Sequence, residues 1–110
     1  GMLNDVTVVV WGEFGRTPRI SVGGTTNSAG RNHWGPVQTV FFAGGGVQGG
    51  TVIGSSDRFG AYPASNPQTP ENMAATIYHA LGIDPHTELR TASNRPVAAA
   101  DGKVVTGVFA

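Results

Sequence analysis

One carboxylate and one imidazole stand out as the side chains in this sequence that could carry chemistry. Glu13 lies between two glycines directly after an apolar run, and His33 follows a loop rich in glycine, serine and threonine. Both groups are good ligands for zinc, manganese or iron, and both serve as general acids or bases. The loop between them is long enough to bring them together. The alternative is two ordinary polar loops, because two ligands alone do not make a metal site.

Two arginines flank this pair and add an anion-binding hypothesis. Arg16 and Arg31 carry planar guanidinium groups, which can hold a phosphate or sulfate through paired hydrogen bonds. The alternative is that they balance the charges of Glu13 and Asp5, which the residue types leave equally open. We therefore predict Glu13 and His33 as candidate metal ligands and the two arginines as candidate anion contacts.

Apolar runs before and after these residues predict the strands that must position them. Residues 6–11 and 37–43 are mostly apolar on both faces, which is typical of strands in the middle of a sheet. A carboxylate directly after such a strand lies at its carboxyl end, where open α/β sheets bind ligands. We expect the two strands to be parallel neighbours, with Glu13 and His33 converging at the carboxyl edge of the sheet.

The clearest helix signal covers residues 70–81. Thr69 is a good N-cap, Pro70 suits the first helical position, and Gly82 is a natural stop. Apolar side chains recur at helical spacing at Met73, Ile77, Tyr78 and Leu81. One helix covers only one face of a sheet that is apolar on both, so we expect a second copy of the chain to help cover the other face, giving a homo-oligomer.

Glycine-rich and proline-rich segments predict the turns. Residues 23–30 have no periodicity and predict a mobile loop. We expect either a small β-hairpin that pairs residues 37–43 with residues 51–54, or a strand followed by a short extended edge. A second hairpin is expected to pair residues 95–97 with residues 103–105.

Length and composition exclude several classes of protein. The 110 residues are enough for one small domain, residues 1–110, with a modest core. Seven basic residues balance seven acidic ones, so charge gives no case for nucleic acid or an anionic membrane as partner. The absence of cysteine excludes disulfides and thiolate metal sites. No apolar run approaches the roughly 20 residues of a membrane span.

The remaining polar and aromatic candidates fit structural roles better. Trp34 is either a wall of the site or a core anchor, and the core is the better interpretation. His79 is interpreted as half-buried helix packing, and His86 as a solvated turn residue. No serine stands in a Gly-x-Ser-x-Gly elbow, so the sequence does not support a local hydrolase nucleophile.

The order of these pieces resembles a known family. An apolar strand ends in a glycine-bracketed acid, and a His-Trp loop, a second strand, a glycine-rich turn and a capped helix follow. The segments that carry the resemblance are residues 12–18, 30–34, 42–47, 60–63 and 76–84. They are similar to the C-terminal part of the alkaline-phosphatase and sulfatase superfamily and, more closely, to the bacterial domain-of-unknown-function family 1501. The resemblance covers nearly the whole chain.

This resemblance implies a fold, an activity and a location. It implies an α/β fold that is part of an alkaline-phosphatase-like three-layer sandwich, with a mostly parallel sheet, one main helix and a small β-hairpin. It also implies metal-dependent hydrolysis of sulfate or phosphate esters, with zinc, manganese or calcium as the divalent ion, in an exported protein. Glu13 stands where those enzymes place the acid of an Asp-His-Gly metal motif, and Phe14 stands where they have the histidine. His33 resembles the later histidine near the site, and Asn32 stands where aspartate is more frequent.

Two functional hypotheses from different classes follow. The superfamily's nucleophile and first acidic ligands belong to an N-terminal part that has no counterpart here. The first hypothesis is therefore a sulfatase-like or phosphatase-like domain that is inactive alone, in a parent protein that hydrolyses esters with a metal. The second is a non-catalytic binding or structural module of the same fold, and a third is a fragment that self-associates through an exposed sheet. The Phe14 replacement favours a non-catalytic chain, whereas Glu13, His33 and the arginines favour a hydrolase as parent.

Overall fold

The chain divides into two compact units. The computed structural model describes residues 1–22 and 28–110. The first unit contains Gly1–Val8, Ala43–Val52 and Gln68–Ala110, and the second contains Val9–Phe42 and Ile53–Pro67. The single domain over residues 1–110 that the sequence predicts stays a prediction.

Short strands account for most of the regular structure in the described residues. The strands are β1 (Thr7–Val10), β2 (Gly15–Arg16), β3 (Ser21–Val22), β4 (Ala29–Gly30), β5 (His33–Trp34), β6 (Phe41–Gly44), β7 (Ser55–Ser56), β8 (Pro63–Ser65), β9 (Glu88–Arg90) and β10 (Pro96–Ala98). The α-helix α1 covers Pro70–Ala80, and a 3₁₀ turn covers Thr106–Val108. The strands pair two by two, as β1 with β6, β2 with β5, β3 with β4, β7 with β8, and β9 with β10.

The predicted fold class is wrong. The sequence predicted a mostly parallel sheet in a three-layer alkaline-phosphatase-like sandwich. The described residues instead form mostly small antiparallel pairs of strands with one short helix. The prediction assumed that apolar runs are covered on both faces, but Val8, Val10 and Phe41 are 48%, 61% and 54% exposed. Frequent glycine and proline keep the strands to between two and four residues, so each ladder stays two strands wide.

The two long apolar runs are hydrogen-bonded neighbours, as expected, but only parts of them are strands. β1 covers residues 7–10 of the predicted 6–11, and β6 begins at Phe41 rather than at residue 37. Apolar character therefore located the pair of strands but overestimated their length.

Close packing holds the segment before β6. A side chain at Gly15 would clash with the carbonyl oxygen of Val37. The side-chain amide of Gln38, oriented so that donors meet acceptors, donates to the Gly12 carbonyl at 2.6 Å and accepts from Trp11 Nε1 at 2.9 Å. These contacts replace the strand pairing that the sequence predicted for this segment.

The helix α1 confirms the helix predicted over residues 70–81, except that it ends one residue earlier, at Ala80. Thr69 Oγ1 accepts a hydrogen bond from the Asn72 amide at 3.3 Å, and hydrogen bonding of the same side chain to Glu71 lowers the pKa of that carboxyl. Gly82 adopts a φ of +73° just after the helix and closes it as predicted. In residues 1–22 and 28–110, no helix is both long enough and apolar enough for a membrane crossing.

A buried hydroxyl group organises the core of the first unit. Thr76 on α1 is completely buried, and its Oγ1 donates to the Asn72 carbonyl at 2.6 Å and accepts from the Val105 amide at 3.0 Å. Asn72 Oδ1 accepts from the Lys103 amide at 2.9 Å. The apolar side chains of this core are Met73, Ala75, Ala100 and Val105. Polar contacts therefore fix the C-terminal segment on the helix.

Both predicted hairpins are wrong in their partners. Residues 51–54 form no strand, and β7 pairs with β8 instead. Residues 96–98 pair with residues 88–90, whereas residues 103–105 bind α1 through the contacts just described. The paired strands are joined through residues 57–62 and 91–95, so the local turn signals did not locate these hairpins.

The predicted loop over residues 23–30 is described only in part. Residues 23–27 lie outside the described residues. Residues 29–30 form β4, which pairs antiparallel with β3 so that Ser21 faces Gly30 and Val22 faces Ala29. The segment that leads into His33 therefore begins as a strand.

We expect Thr76→Val to destabilise the protein by about 1–3 kcal/mol, because valine keeps the volume but leaves the buried Val105 amide without an acceptor. Urea unfolding followed by circular dichroism measures the loss. Thr87→Val is the matched control, since Thr87 is exposed and should change stability by less than about 0.5 kcal/mol. Equal stability of Thr76→Val and the unmodified chain would contradict the role given to this hydroxyl.

Candidate functional site

The pairing of β2 with β5 sets two of the predicted site residues side by side. In this antiparallel pair Gly15 faces Trp34 and Arg16 faces His33. Directly opposed residues project to the same face of a ladder, so Arg16 and His33 are side-chain neighbours. The absence of a side chain at Gly15 permits the close approach, because a Cβ there would lie 3.0 Å from the Trp34 carbonyl oxygen.

Reciprocal hydrogen bonds between two arginines, which we call the arginine clasp, hold the same strands. Arg31 Nε donates to the Thr17 carbonyl at 2.6 Å, and Arg31 Nη2 donates to the Arg16 carbonyl at 3.1 Å. Arg16 Nη1 donates back to the Arg31 carbonyl at 3.4 Å. Arg31 thus uses two of its donor groups on the main chain. Its predicted role as an anion contact stays a prediction, with fewer donors left for it.

Thr17 and Asn32 extend the pairing beyond the strands. The Thr17 amide donates to the Asn32 carbonyl at 2.9 Å, and the Asn32 amide donates to Thr17 Oγ1 at 3.1 Å. The Thr17 hydroxyl in turn donates to the Arg19 carbonyl at 3.1 Å. Asn32 therefore supports the site through its main-chain hydrogen bonds. An aspartate at this position would make the same main-chain bonds.

Phe14 links the two polar side chains into one cluster. Its ring lies 3.9 Å from the His33 ring, centroid to centroid, with 32° between the planes. Arg16 Cζ lies 5.6 Å from the centroid of the same ring. We call Phe14, Arg16 and His33 the site face. The resemblance suggests only a lost metal ligand at Phe14, whereas the structure places its ring against the His33 ring.

Glu13 is exposed, and its carboxylate makes neither a hydrogen bond nor an ion pair to other described residues. It lies in a bend just before β2, so strand alternation does not fix the direction of its side chain. Its neighbour Phe14 contacts His33, but the convergence of Glu13 with His33 stays a prediction.

The donor set for a metal is incomplete in the part of the chain that the structure describes. There, no three His, Cys, Asp or Glu side chains are grouped so that they could hold a metal ion. Protein zinc sites use three or four protein ligands, and Glu13 with His33 supplies at most two. His33 also has no hydrogen-bond acceptor for its second ring nitrogen among these residues, a support that ligating histidines normally have. The predicted divalent metal stays a prediction that needs a further donor.

Trp34 anchors a loop instead of lining the site face. Its Nε1 donates to the Ala61 carbonyl at 2.6 Å, and its ring meets Tyr62 edge-on at 5.6 Å. Asp57 Oδ1 closes this loop by accepting from the Phe59 amide at 3.0 Å and the Ala61 amide at 2.8 Å. The sequence analysis gave this loop no role, although an aspartate shortly before a glycine is a signal of such closure.

The other two histidines lie in the first unit. The His79 ring meets Phe109 edge-on at 5.1 Å, and the His86 amide donates to Asp84 Oδ1 at 2.9 Å. Both line an open cleft of about 430 Å³ next to the end of α1, together with Pro85. His86 lies exposed in a turn, as expected, whereas His79, expected to be half-buried, is exposed although its ring contacts Phe109.

We expect Arg31→Lys to loosen the strand pairing, because an ammonium group cannot reproduce the Nε and Nη2 bonds to two carbonyls. Amide hydrogen exchange at Thr17, which donates to Asn32, should speed up by about tenfold, the equivalent of one net hydrogen bond. Arg58→Lys is the matched control, because Arg58 is an exposed arginine that stacks on Phe59. Unchanged exchange at Thr17 in Arg31→Lys would show that the clasp does not hold the strands.

Comparison with known protein families identifies the chain at the family level. One family model, described as "Protein of unknown function (DUF1501)", matches residues 1–109. No curated protein and no solved structure matches the chain. The matched range contains all four predicted site residues and the whole site face. Since the match covers all but the last residue, the chain belongs to the DUF1501 family of proteins of unknown function.

Proposed function

We propose that this chain carries part of a site that binds sulfate or phosphate esters. The observation that carries the proposal is the pairing of Arg16 with His33 across β2 and β5. A guanidinium and an imidazole on one exposed face offer N–H donors to the terminal oxygens of such an ester. The proposal includes a relation to the C-terminal part of the alkaline-phosphatase and sulfatase superfamily, and an exported parent protein.

The electrostatics of the site face favour an anionic ligand. Among the described residues the one ion pair joins Arg90 and Glu88, so no carboxylate neutralises Arg16. Arg16 also keeps two of its three guanidinium nitrogens without hydrogen bonds to described residues. An uncompensated cation at an exposed position attracts anions and lets them approach without moving other side chains.

A divalent metal is the second component of the proposal. Glu13 and His33 would be two of its ligands, and zinc, manganese or calcium would polarise an ester oxygen when bound. The described residues do not complete the coordination sphere, so further donors must come from elsewhere. We therefore propose that the chain alone binds such an ester without turning it over, and that the parent protein supplies the rest of a hydrolase site.

The alternative is a non-catalytic module that associates with its own copies. The exposure of Val8 and Val10 on one strand favours it, since exposed apolar side chains on a strand promote association. Light scattering at micromolar concentration distinguishes the two functions. A dimer or larger species supports the module, and a monomer that binds esters supports the site.

We expect zinc and manganese to bind weakly, because two ligands leave most of the coordination sphere to water. Calorimetric titration should show that Glu13→Ala and His33→Ala each weaken this binding further, by roughly tenfold or more. His86→Ala is the matched control, since His86 is exposed and lies in the first unit. Tight binding that survives both substitutions would place the metal elsewhere.

Binding and hydrolysis of an ester test the same proposal a second time. Phenyl phosphate and phenyl sulfate should bind to the chain but not be hydrolysed by it. Failure of both esters to bind, with or without added zinc, would contradict the proposed function. Rapid hydrolysis by this chain alone, lost in Glu13→Ala, would contradict its inactivity.

A further inference from the structure

We infer that Arg16 and His33 bind the oxyanion of the ester directly, without a metal ion, and that Phe14 fixes the imidazole for this purpose. The inference rests on the ester-binding part of the proposed function and replaces its metal part, because it assigns His33 to the anion rather than to a metal. Its ligand is the tetrahedral end group that sulfate and phosphate monoesters share. Three observations on the site face carry it.

The first observation is the way in which Phe14 presents the imidazole. The two rings stack with their centroids 3.9 Å apart and 32° between their planes. One face of the His33 ring is therefore covered, while its edge carries the two nitrogens. Neither nitrogen is hydrogen bonded to a described residue, and His33 is exposed. Because neutral imidazole in either tautomer has one N–H, the ring always offers a donor to an oxyanion.

The second observation is the set of donors that Arg16 keeps. Its Nη1 makes one long hydrogen bond, 3.4 Å, to the Arg31 carbonyl, and Nε and Nη2 make none to described residues. The cross-strand register sets Arg16 opposite His33, and Arg16 Cζ lies 5.6 Å from the centroid of the Phe14 ring, which also contacts His33. A planar pair of N–H donors suits two oxygens of a tetrahedral anion.

The third observation is the sign of the charge. A metal cation on His33 would lie opposite Arg16 in the ladder, and among the described residues no carboxylate forms an ion pair with Arg16, so the two positive charges would repel. Glu13 is the nearest acid in sequence, and it forms no ion pair with Arg16. An oxyanion brings the opposite charge to the same place. The site face is therefore better matched to the anion than to the metal.

Arg31 supports this arrangement without binding the anion. Its Nε and Nη2 donate to the carbonyls of Thr17 and Arg16. This holds the main chain of Arg16 in register with His33, so Arg31 is a positioning residue. Arg16 and Arg31 thus have separate roles, although the sequence gave them the same one.

Nuclear magnetic resonance titration with inorganic phosphate and inorganic sulfate, in the presence of EDTA and at low salt, tests the inference. We expect saturable shifts of the Arg16 Nε–H and His33 ring signals. Arg16→Ala should weaken binding by roughly ten- to a hundredfold, the range for a hydrogen bond to a charged group, and His33→Ala by about tenfold. Arg58→Ala is the matched control, because it removes another exposed guanidinium that stacks on a phenyl ring in the same unit. It should bind as the unmodified chain does.

The chemical shifts of the His33 ring protons test the role of Phe14 separately. Ring stacking should shift the His33 ring protons upfield, and Phe14→Leu should remove this shift and weaken anion binding. Phe14→Tyr keeps the ring and should restore both. Amide spectra with the dispersion of the unmodified chain establish that each variant is folded. A weakening in Phe14→Leu that Phe14→Tyr does not reverse would overturn the positioning role.

The remaining outcomes separate the inference from the proposed function. Binding that appears only with added zinc and is lost in Glu13→Ala would overturn the inference and leave an ester site standing. Binding that persists in Arg16→Ala would place the anion elsewhere and also overturn it. No binding of phosphate, sulfate or phenyl esters, with or without zinc, would overturn both the inference and the proposed function.

Discussion

The reciprocal hydrogen bonds of the arginine clasp hold the part of the molecule on which function depends. β2 and β5 have two residues each, which is too short for a stable pair of strands on main-chain bonds alone. Three guanidinium–carbonyl hydrogen bonds between residues 16–17 and 31 add to the ladder and extend it past its end. The register that places Arg16 beside His33 therefore depends on side chains, not on a wide sheet.

The clasp gives the two arginines different surroundings, because Arg31 donates from two guanidinium nitrogens to main-chain carbonyls and Arg16 donates from one. A guanidinium whose donors are taken by carbonyl oxygens acts as part of the fold, and one whose donors face solvent can bind a ligand. Phe14 plays a comparable part, because its ring stacks on the His33 ring and supplies a flat support for it. The site face thus combines a phenyl ring, a guanidinium and an imidazole, and among the described residues no three His, Cys, Asp or Glu side chains are grouped so that they could hold a metal ion.

Local signals in the sequence predicted local structure well and tertiary pairing poorly. The helix was predictable because the Thr69 cap acts on its own neighbours. The fold class was not predictable in this way. The prediction required the strand around Val8 to be buried on both faces, whereas Val8 is exposed. The hydrogen bond from the Val105 amide to the Thr76 hydroxyl joins residues 29 positions apart, and no local sequence pattern predicts this bond. The sequence predicted that Arg16 would lie near His33, and the pairing of β2 with β5 sets the two residues opposite each other, although their roles stay predictions. The hydrogen bonds of Arg31 to main-chain carbonyls could not be predicted from the sequence.

The contact between the Phe14 and His33 rings tests the account most directly, because it requires both the register of β2 with β5 and the shape of the site face. Two-dimensional nuclear Overhauser spectroscopy on the unmodified chain, with the aromatic protons assigned, measures it. The account predicts strong cross-peaks between the ring protons of Phe14 and the imidazole protons of His33, since the ring centroids lie 3.9 Å apart. Assigned rings without such cross-peaks, in a chain that shows the α1 helix, would contradict it.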